Sequence, residues 1–150
     1  LVPDASALSL KWPNDVLLNG AKLAGILLES EGGAVVIGIG VNLAQAPKLD
    51  DRATIALADV TTPPARDDFA PILARGLRDE LARWRQVGIE PLLRRWLSAA
   101  HPIGTALSVH DGDGAVLSGT FAGLNETGSL LLRLADGETR AIHAGDVVLD

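Results

Sequence analysis

Lysines, an amide and a carboxylate crowd into one stretch of this chain: Lys11-Trp12-Pro13-Asn14-Asp15, followed shortly by Lys22. An ammonium fixed in a dry site stabilises negative charge as it develops. A carboxylate beside it can hold a divalent cation or orient the ammonium. The spacing suggests how the two could meet. Asn19-Gly20 lies between apolar runs, and both central residues of a type I′ hairpin turn need positive φ, which Asn and Gly tolerate best. A hairpin there places Lys22 on a strand paired with the one that leaves Asp15, so cation and carboxylate could face one site. Pro13 fixes its own φ and pushes Trp12 toward an extended conformation. Trp12 to Asp15 is therefore expected to be a rigid loop presenting polar side chains.

The strands around the turn follow from pattern. Leu8, Leu10 and Trp12 alternate with Ser9 and Lys11, a half-buried strand. Val16–Leu18 and Ala21–Ser30 form the hairpin, and Gly32-Gly33 makes the next turn. Ala34–Val41 is continuous and β-branched, the signature of a buried central strand. Its Gly38 and Gly40, with Gly25 on the preceding strand, offer backbone without side chains, which marks a bulge or the close approach of a ligand. Asn42 at the strand end reads as an Asx turn or as a ligand contact.

These blocks resemble the signature of biotin protein ligases: Lys11–Asp15 as Lys-Trp-Pro-Asn-Asp, Lys22–Leu27 as Lys-Leu-Ala-Gly-Ile-Leu, and Gly38-Ile39-Gly40-Val41-Asn42 as Gly-x-Gly-x-Asn. Three blocks in order and at family-like spacing make the match specific. The resemblance implies ATP-dependent activation of biotin to biotinyl-5′-AMP, then transfer to a lysine of a biotin carboxyl carrier domain. It implies that Lys22 is catalytic and contacts both biotin's carboxylate and the α-phosphate. Biotin would meet Lys22, Gly25, Ile26, Gly38 and Gly40; Lys11, Asn14, Asp15 and Asn42 would serve the nucleotide and its Mg²⁺, with Asp15 as the metal ligand. Asp15 could equally orient Lys22 or activate the acceptor lysine. Lys11 could pair with phosphate, pair with an acidic neighbour, or be solvated. Two other readings stay open: a non-catalytic interaction module on a ligase-like scaffold, and a relative of lipoyl or octanoyl transferases.

One departure from the family bears on activity. Nothing here reads Gly-Arg-Gly-Arg, the loop that closes over biotin and the phosphates in those ligases. The chain opens Leu1-Val2-Pro3, contains no Met, and starts with a block that sits mid-chain in the family, so it reads as a fragment. The expectation is that it cannot form the adenylate alone.

Composition sets the remaining bounds. Hydrophobic residues make up 47% of 150, enough for a core, but aromatics only 3%, so Leu, Ile, Val and Ala must build it. A net charge of −6 argues against a nucleic-acid binder. The lack of cysteine removes disulfides, thiolate zinc sites and cysteine nucleophiles, and fits a cytoplasmic protein. No apolar run reaches transmembrane length, so no membrane partner is expected. A homodimer is allowed.

Gln45–Pro64 reads as a long irregular loop, functional or mobile. Asp68 is expected to cap a helix carrying Phe69, Leu73, Leu77, Leu81 and Trp84, ended by Gly88; Pro91 opens a shorter one with Trp96. Trp84 and Trp96 are expected in the core. His101 and His143 read as structural, His110 as exposed. After His101-Pro102, short strands at Thr105–Val109, Ala115–Phe121, Ser129–Leu134 and Thr139–His143 alternate with turns at Asp111–Gly114, Asn125–Gly128 and Asp136-Gly137. The expected fold is α+β. Residues 1–100 form a mixed or antiparallel sheet with helices, by resemblance part of a class II synthetase-like catalytic domain. Residues 101–150 form a small SH3-like β-barrel.

Overall fold

The computed structural model describes residues 2–110 and 116–149. The turn expected at Asp111–Gly114 lies outside them. The architecture is α+β, with two helices and two antiparallel sheets. Two compact units divide the chain: one takes the residues through Leu10 together with Asn14–Ala82, the other takes Lys11–Pro13 with everything from Arg83 onward.

The first unit is built on a four-stranded sheet of order β1-β2-β3-β4, from Leu8–Lys11, Asp15–Leu18, Ala21–Glu31 and Ala34–Val41. Asn19 and Gly20 hold φ of 52° and 78°, as the hairpin requires. Gly32 and Gly33, at 57° and 81°, make the β3–β4 turn in the same way. Leu18, Leu23 and Leu57 are its buried centre, with Leu8, Leu43, Ile55 and Val60 packed around them.

The expectation of a buried β4 is not met. It forms one edge of the sheet, and Val35, Val36 and Ile37 are exposed, as are Leu27 and Leu28 on β3. The apolar run reports a strand suited to burial; nothing among the described residues covers it.

The helix α1, Arg66–Val87, starts earlier than expected. Asp68 lies in its first turn rather than at its cap, beside Asp67, where a carboxylate favours the positive end of the helix dipole. Gly88 closes it at φ 78°, its N–H donating to Trp84 O at 2.9 Å. Trp84 itself is 47% exposed and not core.

The second unit orders its strands β8-β7-β6-β5-β9, from Ala106–His110, Val116–Leu124, Leu130–Arg133, Thr139–Ile142 and Asp146–Leu149 in chain order β5 to β9. It is a small barrel-like sheet. The last strand, missed in the sequence because Asp-Val-Val-Leu is short and abuts the terminus, pairs antiparallel with β5. Its core holds Leu107, Val109, Phe121, Leu130, Leu132, Ile142 and Val147. The helix α2, Glu90–Ala99, lays Trp96 edge-on to Phe121, centroids 6.5 Å apart.

Trp12, expected both on the apolar side of a half-buried strand and in a rigid loop, joins this core. It is 7% accessible, and its indole N–H donates to Gly128 O at 3.0 Å. Beside it Lys11 Nζ donates to Val147 O at 2.6 Å and lies 3.8 Å from Asp146 Oδ1. His101 lines the same small pocket as Lys11, Trp12, Trp96 and Phe121. Burial first, and then the Lys11 ammonium, lower its pKa. His143 Nδ1 pairs with Ser129 Oγ at 2.9 Å, a structural contact.

Candidate functional site

In the first unit Lys22 and Asp15 do meet. Lys22 Nζ lies 2.6 Å from Asp15 Oδ1; the carboxylate side chain is 5% exposed and the lysine's 29%. The hairpin alone does not produce this. In a regular strand, residues three apart point to opposite faces, so Lys22 and Gly25 would be separated by the sheet. The β2–β3 register slips, however: Leu17 opposes Lys22 and Val16 opposes Ala24, so Leu23 is skipped. That bulge turns Lys22 onto the face shared by Asp15 and Gly25, which oppose one another. A Cβ built on Gly25 would stand 3.1 Å from Lys22 Cε, 3.2 Å from its Nζ and 3.3 Å from Asp15 Oδ1. The ammonium is thus held over bare backbone.

The glycines extend that floor. Gly25 opposes Gly40, and Leu27 opposes Gly38. A Cβ at Gly40 would meet only Gly25 O, at 4.0 Å, and one at Gly38 only Leu27, at 3.7 Å or more. The protein's own packing does not require glycine at either place; the open space above them does not come from backbone crowding.

Asn14 and Ile26 brace the edge of this site. Asn14 Nδ2 donates to Ile26 O at 2.6 Å, and Ile26 N–H donates back to Asn14 O at 3.0 Å. Lys11 belongs to the second unit, held there by Val147 O. Sequence reasoning missed one element. The supposedly irregular loop lays Thr54 beside Lys22 as a parallel bridge. Lys22 N–H donates to Ala53 O at 2.9 Å, and Ile55 N–H donates to Lys22 O at 3.1 Å. A single β-branched pair, Thr54-Ile55, was the signal, and it is too short to read as a strand.

Asp15 was expected as a Mg²⁺ ligand. Its carboxylate already faces an ammonium, and no group of three or more His, Cys, Asp or Glu among the described residues could hold a metal. A divalent ion at Asp15 Oδ1 would compete with the Lys22 ammonium for the same oxygen.

Two family models match the chain: the biotin/lipoate A/B protein ligase family over residues 3–44, and the biotin protein ligase C terminal domain over residues 104–150. A biotin–[acetyl-CoA-carboxylase] ligase of Paracoccus denitrificans is 38% identical, covering 95% of this chain and 63% of its own length. One from Mycobacterium tuberculosis is 36% identical over 98% of this chain and 54% of its own. The bifunctional ligase/repressor BirA of Escherichia coli is 32% identical and is covered over 47% of its length. The chain thus spans about half to two thirds of these relatives. In fold it matches an apo biotin protein ligase from Aquifex aeolicus at a TM-score of 0.85 and 21% identity, over 95% of this chain and 66% of that one. The same protein solved with biotin and ATP gives 0.83.

Proposed function

We propose that this chain, a relative of the biotin protein ligases, carries the lysine side of a site that activates biotin with ATP and passes it to a carrier domain. One observation carries the reading: the Lys22 ammonium is pinned by buried Asp15 over a glycine floor. In the first step an oxygen of biotin's carboxylate forms a bond to the α-phosphorus, and the bond to pyrophosphate breaks. Negative charge grows on the phosphoryl oxygens, and Lys22 is placed to stabilise it without reorganising. Asp15 keeps the ammonium aimed. Gly25, Gly38 and Gly40 leave room for a flat bicyclic ligand against the strands. In the second step a lysine amine of the carrier attacks the acyl carbon of biotinyl-5′-AMP and AMP leaves.

Mg²⁺ bound with the nucleotide would supply neutralising charge at the phosphates; Asp15, which faces Lys22, is read as orienting that ammonium. A cytoplasmic setting suits the chemistry, and the described helices include none long and apolar enough to cross a membrane.

The test is Lys22→Ala in the protein as its gene encodes it, with biotin-dependent pyrophosphate exchange as the readout. A loss of about 10²–10³-fold, the scale for removing one charge-stabilising donor, is expected with folding retained. An unchanged rate would instead favour a non-catalytic interaction module. Titration with biotin against lipoate separates the ligase from the lipoyl and octanoyl transferases, because the matching family model embraces both.

A further inference from the structure

We propose that Asn19-Gly20 is a site of spontaneous deamidation whose isoaspartyl product pulls Lys22 out of register. The consequence for activity rests on the reading of Lys22 given above; the reaction itself does not. The Gly20 backbone nitrogen forms a bond to Asn19 Cγ, and the bond from Cγ to the side-chain nitrogen breaks. The proton of the attacking nitrogen passes through solvent to the departing one, so ammonia leaves and a succinimide ring remains. Water then adds to either ring carbonyl. Opening on one side gives aspartate. Opening on the other gives isoaspartate, in which the main chain runs through Cβ and Cγ.

The turn is open to this attack. Both residues are exposed, at φ of 52° and 78°. Gly20 brings no Cβ to the approach, and one built there would meet nothing within 4 Å. Its N–H has no hydrogen-bond partner among the described residues, nor has the Asn19 side-chain amide. The bond from Asn19 N–H to Ala7 O, 2.9 Å, lies on the other side of Cα from the reacting peptide. Asn14 is the contrast. Its Nδ2 donates to Ile26 O at 2.6 Å and its carbonyl accepts from Ile26 N–H at 3.0 Å. The residue that would have to attack it, Asp15, carries a buried side chain paired with Lys22.

The hairpin cannot absorb isoaspartate. Its turn closes between Leu18 and Ala21, and the next pair outward is Leu17 with Lys22. Isoaspartate lengthens the main chain by one carbon–carbon bond, about 1.5 Å. The type I′ geometry needs two ordinary residues at positive φ, which the product no longer supplies. The added atom shifts Ala21 and Lys22 against Leu18 and Leu17, and the ammonium 2.6 Å from Asp15 loses its aim. Misplacing a positioned group by about 1 Å costs about 100-fold. Plain aspartate keeps the turn, because Asp-Gly suits the same geometry.

The experiment incubates the protein as its gene encodes it in mildly alkaline buffer, native and in urea, and follows tryptic digests by mass spectrometry with fragmentation. The peptide from Trp12 to Lys22 carries both Asn14 and Asn19. In the native sample it is expected to gain the mass of an amide-to-acid exchange at Asn19 and not at Asn14. Part of the product should be methylated by an L-isoaspartyl methyltransferase. The isoaspartyl form, separated by ion exchange, should show biotin-dependent pyrophosphate exchange lowered about 100-fold. Freshly made Asn19→Asp, which has the charge without the added atom, should fall less than about twofold. Asn19→Gly keeps a Gly-Gly turn and has no amide to lose, so it should hold its activity through the incubation. A mass gain confined to the urea sample overturns the proposal, since the folded turn would then be closed to the reaction. So does an equal gain at Asn14, or isoaspartyl protein of parental activity beside an inactive Lys22→Ala. If Lys22→Ala leaves the rate untouched, the functional reading fails while the native mass gain at Asn19 still decides the modification.

Discussion

Gly40→Ala separates the two reasons a strand can carry glycine. The new Cβ would lie 4.0 Å from Gly25 O, ordinary contact, with no other atom within 4 Å. Gly40 is extended, so alanine adopts the same backbone without strain. The substitution also removes freedom from the unfolded chain, and should stabilise the protein by about 0.4–1 kcal/mol. The methyl nevertheless stands on the floor proposed for biotin. Forcing an extra carbon into a close-packed contact costs about 1–3 kcal/mol, which is roughly 5- to 150-fold in Kd. Urea unfolding and calorimetric titration with biotin measure the two effects on one sample. A variant as stable as the parent or more so, yet binding biotin at least about fivefold more weakly, is the expected outcome. Unchanged biotin affinity refutes the floor, and a clear loss of stability refutes the claim that the space above Gly40 is open.

Gly25→Ala, directly across the strands, should behave differently. Its Cβ meets the Lys22–Asp15 pair at 3.1–3.3 Å, so steady-state kinetics should show a fall in kcat greater than any change in KM for ATP. Trp12→Phe keeps an aromatic ring but loses the fused pyrrole and its N–H bond to Gly128 O, and should cost about 1–3 kcal/mol in denaturant unfolding; Trp12→Ala should cost about 3–5 kcal/mol. His101 is depressed from its ordinary 6.5 by burial and by Lys11, so the unfolded chain binds its proton more readily. Its contribution is present above pH 6.5 and is lost as pH falls through the lower folded value. Stability measured across that range should flatten in His101→Gln, and an unchanged slope would remove His101 as the cause.

Local chemistry made much of this fold legible. Asn19-Gly20 and Gly32-Gly33 dictate their turns because positive φ is cheap for those residues and costly for others. The strands up to Val41 and the Gly88 helix stop followed from periodicity and punctuation. Strand identity was readable for β4 but its environment was not: hydrophobicity states what a strand suits, and position in the sheet decides what covers it. Trp12 shows the same limit. Its neighbours suggested a polar loop, yet its partner, Gly128, is more than a hundred residues away in sequence, and no local pattern encodes that contact.

The site divides along the same line. The sequence by itself determined which groups are available, namely an ammonium, a carboxylate, an amide and bare glycine backbone, because those are covalent facts carried in three short blocks. Only the tertiary structure decided that they converge. The skipped Leu23 reverses the parity of the strand and brings Lys22 over Gly25, and a loop without readable secondary structure then clamps its peptide. A bulge depends on how two strands and a core settle together, which one strand's residues do not specify.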